Sequence, residues 1–110
     1  MNIQIFGTAK CQDTRKAQRY FKERRIPFHF VDLTQKKLSR GELTAVGAAL
    51  GMDALVDRDG KAYGQKNLKY LTHDIAEEVL KDPLLLKTPI VRNGRQATVG
   101  YCPERWKEWT

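Results

Sequence analysis

The chain is poor in the residues that build stapled or metal-held domains: two cysteines and two histidines occur in 110 residues. Cys11 and Cys102 lie far apart, too few for a disulfide scaffold or for a metal site made by cysteines alone. His29 falls in an expected strand and His73 at an expected helix start, and no ligand spacing ties either to the cysteines. No apolar run approaches the roughly 20 residues that span a bilayer, so no membrane association is expected. The N-terminus, Met1-Asn2-Ile3-Gln4-Ile5-Phe6, reads as a strand, not as a basic region followed by a long apolar one. No secretory signal is visible, and a cytoplasmic location is the default expectation. Repeats, low-complexity tracts and linkers are also lacking, so residues 1–110 are expected to form a single domain.

What the chain has in excess is positive charge. Lysine and arginine number 20 against 13 aspartates and glutamates, for a net charge of +7. The density is highest from Lys10 to Lys37, in a helical stretch carrying Arg15, Lys16, Arg19, Lys22, Arg24 and Arg25. The plain reading is a solvated basic surface; the sharper ones are an acidic protein partner, an anionic substrate or nucleic acid. No RNA-binding or helix-turn-helix signature surrounds the basic stretch, so direct nucleic-acid binding is not expected.

Hydrophobic spacing gives the order of elements. Ile3, Ile5 and Phe6 form a short strand. From Thr14 onward, Ala17, Tyr20 and Phe21 recur at helical spacing, and this helix should end near Arg25, ahead of Pro27. Phe28, Phe30 and Val31 form a second strand, so the first segment is a βαβ unit with parallel strands. Ser39 and Glu42 make a capping box, Leu38 and Leu43 a hydrophobic staple, and Gly51 a stop. A short segment, Met52 to Val56, leads to the polar turn Asp57-Arg58-Asp59-Gly60. A short helix is expected near Gln65 to Tyr70, then one capped by Thr72 or Asp74 that carries Ile75, Val79 and Leu80. Pro89 to Arg92 and Gln96 to Val99 flank Asn93-Gly94, which predicts a hairpin with a type I′ turn. Pro103 opens a last helix through Trp106 and Trp109. The whole predicts an α/β fold: a four-stranded mixed sheet with helices around it and a helical segment between its two halves.

Within this order Cys11 stands out, because it lies between the first strand and the first helix. Open α/β sheets place ligands in the crevice at that edge. Free N–H groups at the helix start favour an anion there, by roughly 0.3–1 kcal/mol at an exposed site. Lys10, Arg15 and Lys16 add positive charge, whereas Asp13 opposes it, so a moderately acidic thiol is expected. The thiolate is the reactive form, and the placement points to thiol chemistry. Thr14 completes a Cys-x-x-Thr arrangement; its hydroxyl serves either the thiolate or the helix cap. Arg15 is a candidate to bind an oxyanion or a sulfenate at Cys11, or else a solvated helix charge.

Several stretches, in order, resemble the ArsC/Spx family: Cys11-Gln12-Asp13-Thr14-Arg15-Lys16-Ala17, Gly51 ahead of Leu55, Leu86-Lys87-Thr88-Pro89-Ile90-Val91, and Gly100-Tyr101-Cys102-Pro103-Glu104. The resemblance implies a thioredoxin/glutaredoxin-like fold, with the helical insertion between βαβ and ββα halves. It implies that Cys11 is the reactive cysteine, that Arg15 closes the Cys-x-x-[Ser/Cys/Thr]-Arg loop, and that Pro89 is the cis-proline facing the cysteine. Arsenate reductases of the family hold their oxyanion with three further arginines. The aligned residues here are Asp57, Thr88 and Cys102, so that clamp is dismantled; Arg58 and Arg92 are the candidates to replace it. The same alignment brings Cys102 toward Cys11 as a resolving thiol that would close an intramolecular disulfide.

Two classes of function follow from the resemblance. The first is an arsenate reductase-like thiol oxidoreductase that uses Cys11 with glutathione as co-substrate, or with a glutaredoxin- or thioredoxin-like protein, and binds no resident cofactor or metal. The second is a regulatory module of the Spx type that binds RNA polymerase, or a non-catalytic interaction scaffold. Spx-type sensors typically use Cys-x-x-Cys, and Thr14 removes that switch.

Overall fold

Alternation along a short strand sets up a sheet with two buried faces. In β1, Ile3–Gly7, the residues Ile3 and Ile5 enter one core and Phe6 the other. The computed structural model describes residues 2–65 and 75–109. β1 is followed by α1 (Gln12–Glu23), β2 (Phe28–Asp32), α2 (Arg40–Leu50), α3 (Met52–Leu55), α4 (Lys61–Gln65) and α5 (Ile75–Lys81). A 3-10 turn at Pro83–Leu85 precedes β3 (Ile90–Asn93), β4 (Gln96–Val99) and α6 (Pro103–Trp109). The strand order is β2-β1-β3-β4, with β1 and β2 parallel and the other pairs antiparallel. This is the expected α/β architecture: a four-stranded mixed sheet in a thioredoxin-like arrangement, with helices α2 to α5 inserted between its βαβ and ββα halves.

One face of the sheet packs Ile3, Ile5 and Val91 against Ala17, Tyr20 and Phe21 of α1 and Trp106 of α6. Full burial of Ile3, Ile5, Val91 and Phe21 contributes about 1.5–3 kcal/mol for each side chain. The indole N–H of Trp106 donates to Thr98 Oγ1 at 2.8 Å, which satisfies both buried groups at the sheet surface. The other face packs Phe6, Val31 and Ile90 under Leu43 and Val46 of α2, Leu55 of α3 and Val79 of α5. An isolated antiparallel bridge, Val56 to Leu86, ties this insertion to the segment that enters β3.

The helix ends follow local chemistry. At α2 the capping box is complete: Glu42 N–H donates to Ser39 Oγ at 3.1 Å, and Ser39 N–H donates to Glu42 Oε1 at 2.8 Å. Leu38 and Leu43 are both buried, and Gly51 stops the helix at a φ of 83°. Helix α1 ends two residues before the expected Arg25, in a Schellman arrangement. Ile26 N–H returns to Phe21 O at 2.9 Å and Arg25 N–H to Lys22 O at 3.1 Å. Arg25 holds the left-handed position there, with a φ of 58°, because Ile26 gains contact with the core that contains Phe21.

One expectation needs correction. The hairpin pairs Asn93 with Gln96, so its two-residue loop is Gly94-Arg95, one residue beyond Asn93-Gly94. Gly94 has a φ of 61° and Arg95 no positive φ, the pattern of a type II′ turn, not type I′. A short helix, Lys61–Gln65, directly follows the turn in which Gly60 N–H bonds Asp57 O; of the helix expected near Gln65 to Tyr70, only Gln65 is among the described residues. Residues 66–70, the cap candidates Thr72 and Asp74, and His73 lie outside the described residues. His29 is an exposed residue of β2. Among the described residues, no helix is long and apolar enough to cross a membrane.

Candidate active site

The site forms where β1 ends. After Gly7 the chain turns, with Cys11 N–H bonded to Thr8 O at 3.1 Å, and Cys11 becomes the N-cap of α1. Its extended backbone, φ −76° and ψ 119°, puts the sulfur beside the first free amides of the helix. Gly7 is a glycine for lack of space: a Cβ there would lie 2.4 Å from Thr14 Oγ1 and 2.6 Å from Thr14 Cγ2. Strand end and first helical turn are therefore in direct contact, with the Thr14 side chain wedged between them.

Across the sheet edge, the segment entering β3 supplies the second wall. The Thr88–Pro89 peptide bond is cis, and the Thr88 hydroxyl donates to Cys11 Sγ at 3.1 Å. As a thiol, Cys11 reaches Thr88 O at 3.7 Å. Two backbone bonds fix this segment to the insertion: Asp57 N–H to Leu85 O at 2.8 Å and Lys87 N–H to Leu55 O at 2.7 Å. Cys11, Thr14, Thr88 and Pro89 thus meet at one place, although 77 residues separate Cys11 from Thr88.

Partial burial pushes the Cys11 thiol up, but hydrogen bonds to the charged form outweigh it and leave its pKa below the ordinary thiol value. The Thr88 hydroxyl and the backbone N–H groups of Thr14 and Asp13 donate, and the nearby Thr14 hydroxyl also favours the charged form. Thr14 is fully buried, and its Oγ1 has no conventional partner among the described residues, so its hydroxyl is free to serve the sulfur. Cys102 is the opposite case. Burial, and then the charge of Glu104, push its thiol up. Its Sγ donates to Val99 O at 3.3 Å, and its side chain packs against the core around Trp106. Both cysteines are free thiols.

A cavity of about 590 Å³ opens at Cys11, lined also by Asp13, Asp57, Leu86, Lys87, Thr88, Val99 and Gly100. Cys102 and Arg15 do not line it. Arg15 is exposed and donates to Ala9 O at 3.3 Å, bracing the loop that carries Cys11. Neither arginine considered as a replacement clamp reaches the cavity. Arg58 is paired with Asp53 at 2.8 Å and also donates to Tyr63. Arg92 sits toward the opposite end of β3, donating to Gly94 O and Gln4 Oε1. Among the described residues no group of three or more His, Cys, Asp or Glu side chains could hold a metal. Sequence reasoning missed the hydroxyl of Thr88 as a donor to the sulfur and Lys87 as a cavity wall, whereas Asp57, aligned with a lost arginine, does line the cavity. Thr88 was legible only as the place of a lost arginine; its position just before Pro89 was the available signal.

Comparison with known proteins agrees with this geometry. The uncharacterized protein YusI of Bacillus subtilis is 24% identical over 98% of each chain. The global transcriptional regulator Spx 2 of Oceanobacillus iheyensis is 28% identical over 92% of this chain and 78% of that one. The solved arsenate reductase from Vibrio cholerae superposes with a TM-score of 0.84 at 23% identity, covering 98% of this chain and 97% of that one, which establishes the fold. The match to the ArsC family runs through residues 6–109, from the end of β1 to the end of α6, and the chain belongs to that family.

Proposed function

We propose that the protein is a thiol oxidoreductase of the ArsC family, with Cys11 exchanging disulfides with glutathione or a protein thiol, and that arsenate is not its substrate. The observation that carries the reading is the Cys11 sulfur itself: at a helix N-terminus, bonded by Thr88, lowered in pKa and open to a cavity. In the exchange, the Cys11 thiolate attacks one sulfur of a disulfide. A new S–S bond forms to that half, and the other half leaves as a thiolate that takes a proton from water. A glutathione thiolate then attacks the mixed disulfide and releases Cys11 as thiolate. Arg15, braced on Ala9, keeps further N–H donors for the carboxylates of such an adduct.

Arsenate fits poorly. A dianion beside Cys11 would face the carboxylates of Asp13 and Asp57, with Lys87 the one basic side chain among the described lining residues. An arsenate-reduction assay with glutathione and glutaredoxin is expected to give no turnover above background. Treatment with oxidised glutathione, quenching and intact mass measurement are expected to give one glutathione adduct on the wild type and none on Cys11→Ser. The same spectra decide the role of Cys102. Loss of two hydrogens that needs both cysteines assigns it as the resolving thiol. An adduct at Cys11 that Cys102→Ser leaves unchanged assigns a monothiol mechanism. An unmodified Cys11 sinks the oxidoreductase reading.

The similarity to Spx regulators supports a second reading, in which the basic face of α1 serves RNA polymerase binding or a non-catalytic scaffold. Retention of the protein by purified polymerase, with Cys11 unreactive, would favour it.

A further inference from the structure

A second groove adjoins the Cys11 cavity and is not used by the exchange chemistry. It has a volume of about 380 Å³ and is lined by Lys16, Arg19, Tyr20, Glu23, Arg24, Tyr101 and Pro103. The two sites are lined by neighbouring residues of the chain. Asp13 and Gly100 line the Cys11 cavity, and the next residues along the same helix face and the same loop, Lys16 and Tyr101, open the groove. Lys16, Arg19 and Arg24 form no ion pair among the described residues. Lys16 Nζ lies 5.7 Å from the Tyr101 ring centre and the Arg24 guanidinium 3.7 Å from that of Tyr20, so the aromatic walls hold these cations in place. Tyr101 is 44% exposed, one of the two large apolar side chains left open on the described surface.

We infer that this groove docks an acidic polypeptide segment whose cysteine is the exchange partner of Cys11. The inference rests on the reading of Cys11 as an exchanging thiol and names its substrate class: an acidic protein thiol or disulfide in preference to glutathione. Arg19 lies about 12 Å and Arg24 about 20 Å beyond Cys11 along α1, at about 1.5 Å per residue. An extended chain covers those distances in about four and six residues, which sets where its carboxylates must fall relative to its cysteine. A nucleic-acid backbone suits the groove less well. Glu23 within it and Asp13 at its mouth would each meet a phosphate, whereas a peptide places discrete carboxylates between them.

The test uses the full-length protein and peptides that carry one cysteine as its mixed disulfide with thionitrobenzoate. Attack by the Cys11 thiolate forms the Cys11–peptide disulfide and releases thionitrobenzoate, whose colour reports the rate. A peptide with Glu four and six residues after its cysteine should react about tenfold faster than its Gln counterpart at low salt, and the ratio should shrink toward about two at 0.5 M salt. Arg19→Glu should abolish the preference and Arg24→Glu reduce it, while both react normally with neutral hydroxyethyl disulfide. Equal rates for the Glu and Gln peptides, or a preference that survives Arg19→Glu, would overturn the inference and leave the reading of Cys11 intact. Displacement of the Glu peptide by a single-stranded oligonucleotide would overturn it in favour of nucleic acid. No reaction even with hydroxyethyl disulfide would overturn the reading of Cys11 and the inference with it.

Discussion

At the residue scale the site is set by contacts too close to allow substitution. Gly7 ends β1 without needing a positive φ; it is a glycine because Thr14 fills the space a Cβ would take. Thr14 cannot easily withdraw, since it is fully buried. Gly7→Ala is expected to cost about 1–3 kcal/mol, the usual range for overpacking a filled interior. Urea unfolding checks this: a midpoint unchanged from wild type would show that the wedge is loose. The sequence disclosed Cys11, Thr14 and Arg15 because they are neighbours around one helix start. It did not disclose Thr88 as a hydrogen-bond donor, since that role exists only when β3 is laid beside β1 and brings in a residue 77 positions away.

At the element scale, helix starts were legible and turns less so. A capping box satisfies orphan amides within four residues, so Ser39 and Glu42 specify it without help from the rest of the fold. Ser39→Ala should therefore destabilise by about 1 kcal/mol, measured by the thermal or urea midpoint, with the rate of Cys11 alkylation unchanged. A change in that rate would mean that α2 and the site are coupled. The hairpin was harder. Asn93-Gly94 favours a type I′ turn locally, yet the pairing of Ile90 with Val99 and Val91 with Thr98 fixes the register, and the turn moves to Gly94-Arg95. The end of α1 depends on tertiary contact in the same way: burial of Ile26 against the core holds Arg25 in a conformation that glycine would adopt at less cost.

At the scale of the whole molecule, spacing and the βαβ rule gave the parallel β1–β2 pair and the β3–β4 hairpin, and the family resemblance implied how the halves combine; the strand order and the division into two cores emerged only in the structure. The resemblance already put Asp57 in place of a lost arginine; what the chain could not disclose is that Lys87 joins it at the cavity, across the bridge between Val56 and Leu86. The claim to which β1, α1 and the β3 entry all contribute is a stabilised Cys11 thiolate. The charged form is favoured in the fold, so it stabilises the native state above the ordinary thiol pKa, and that contribution is lost as pH falls through the lowered value. The most direct test is the rate of iodoacetamide alkylation against pH in Cys102→Ser, where Cys11 is the one remaining thiol. The inflection should fall below the ordinary thiol value of about 8.5 and move upward in Cys102→Ser/Thr88→Val. An inflection at or above about 8.5, unmoved by the loss of the Thr88 hydroxyl, would contradict the account.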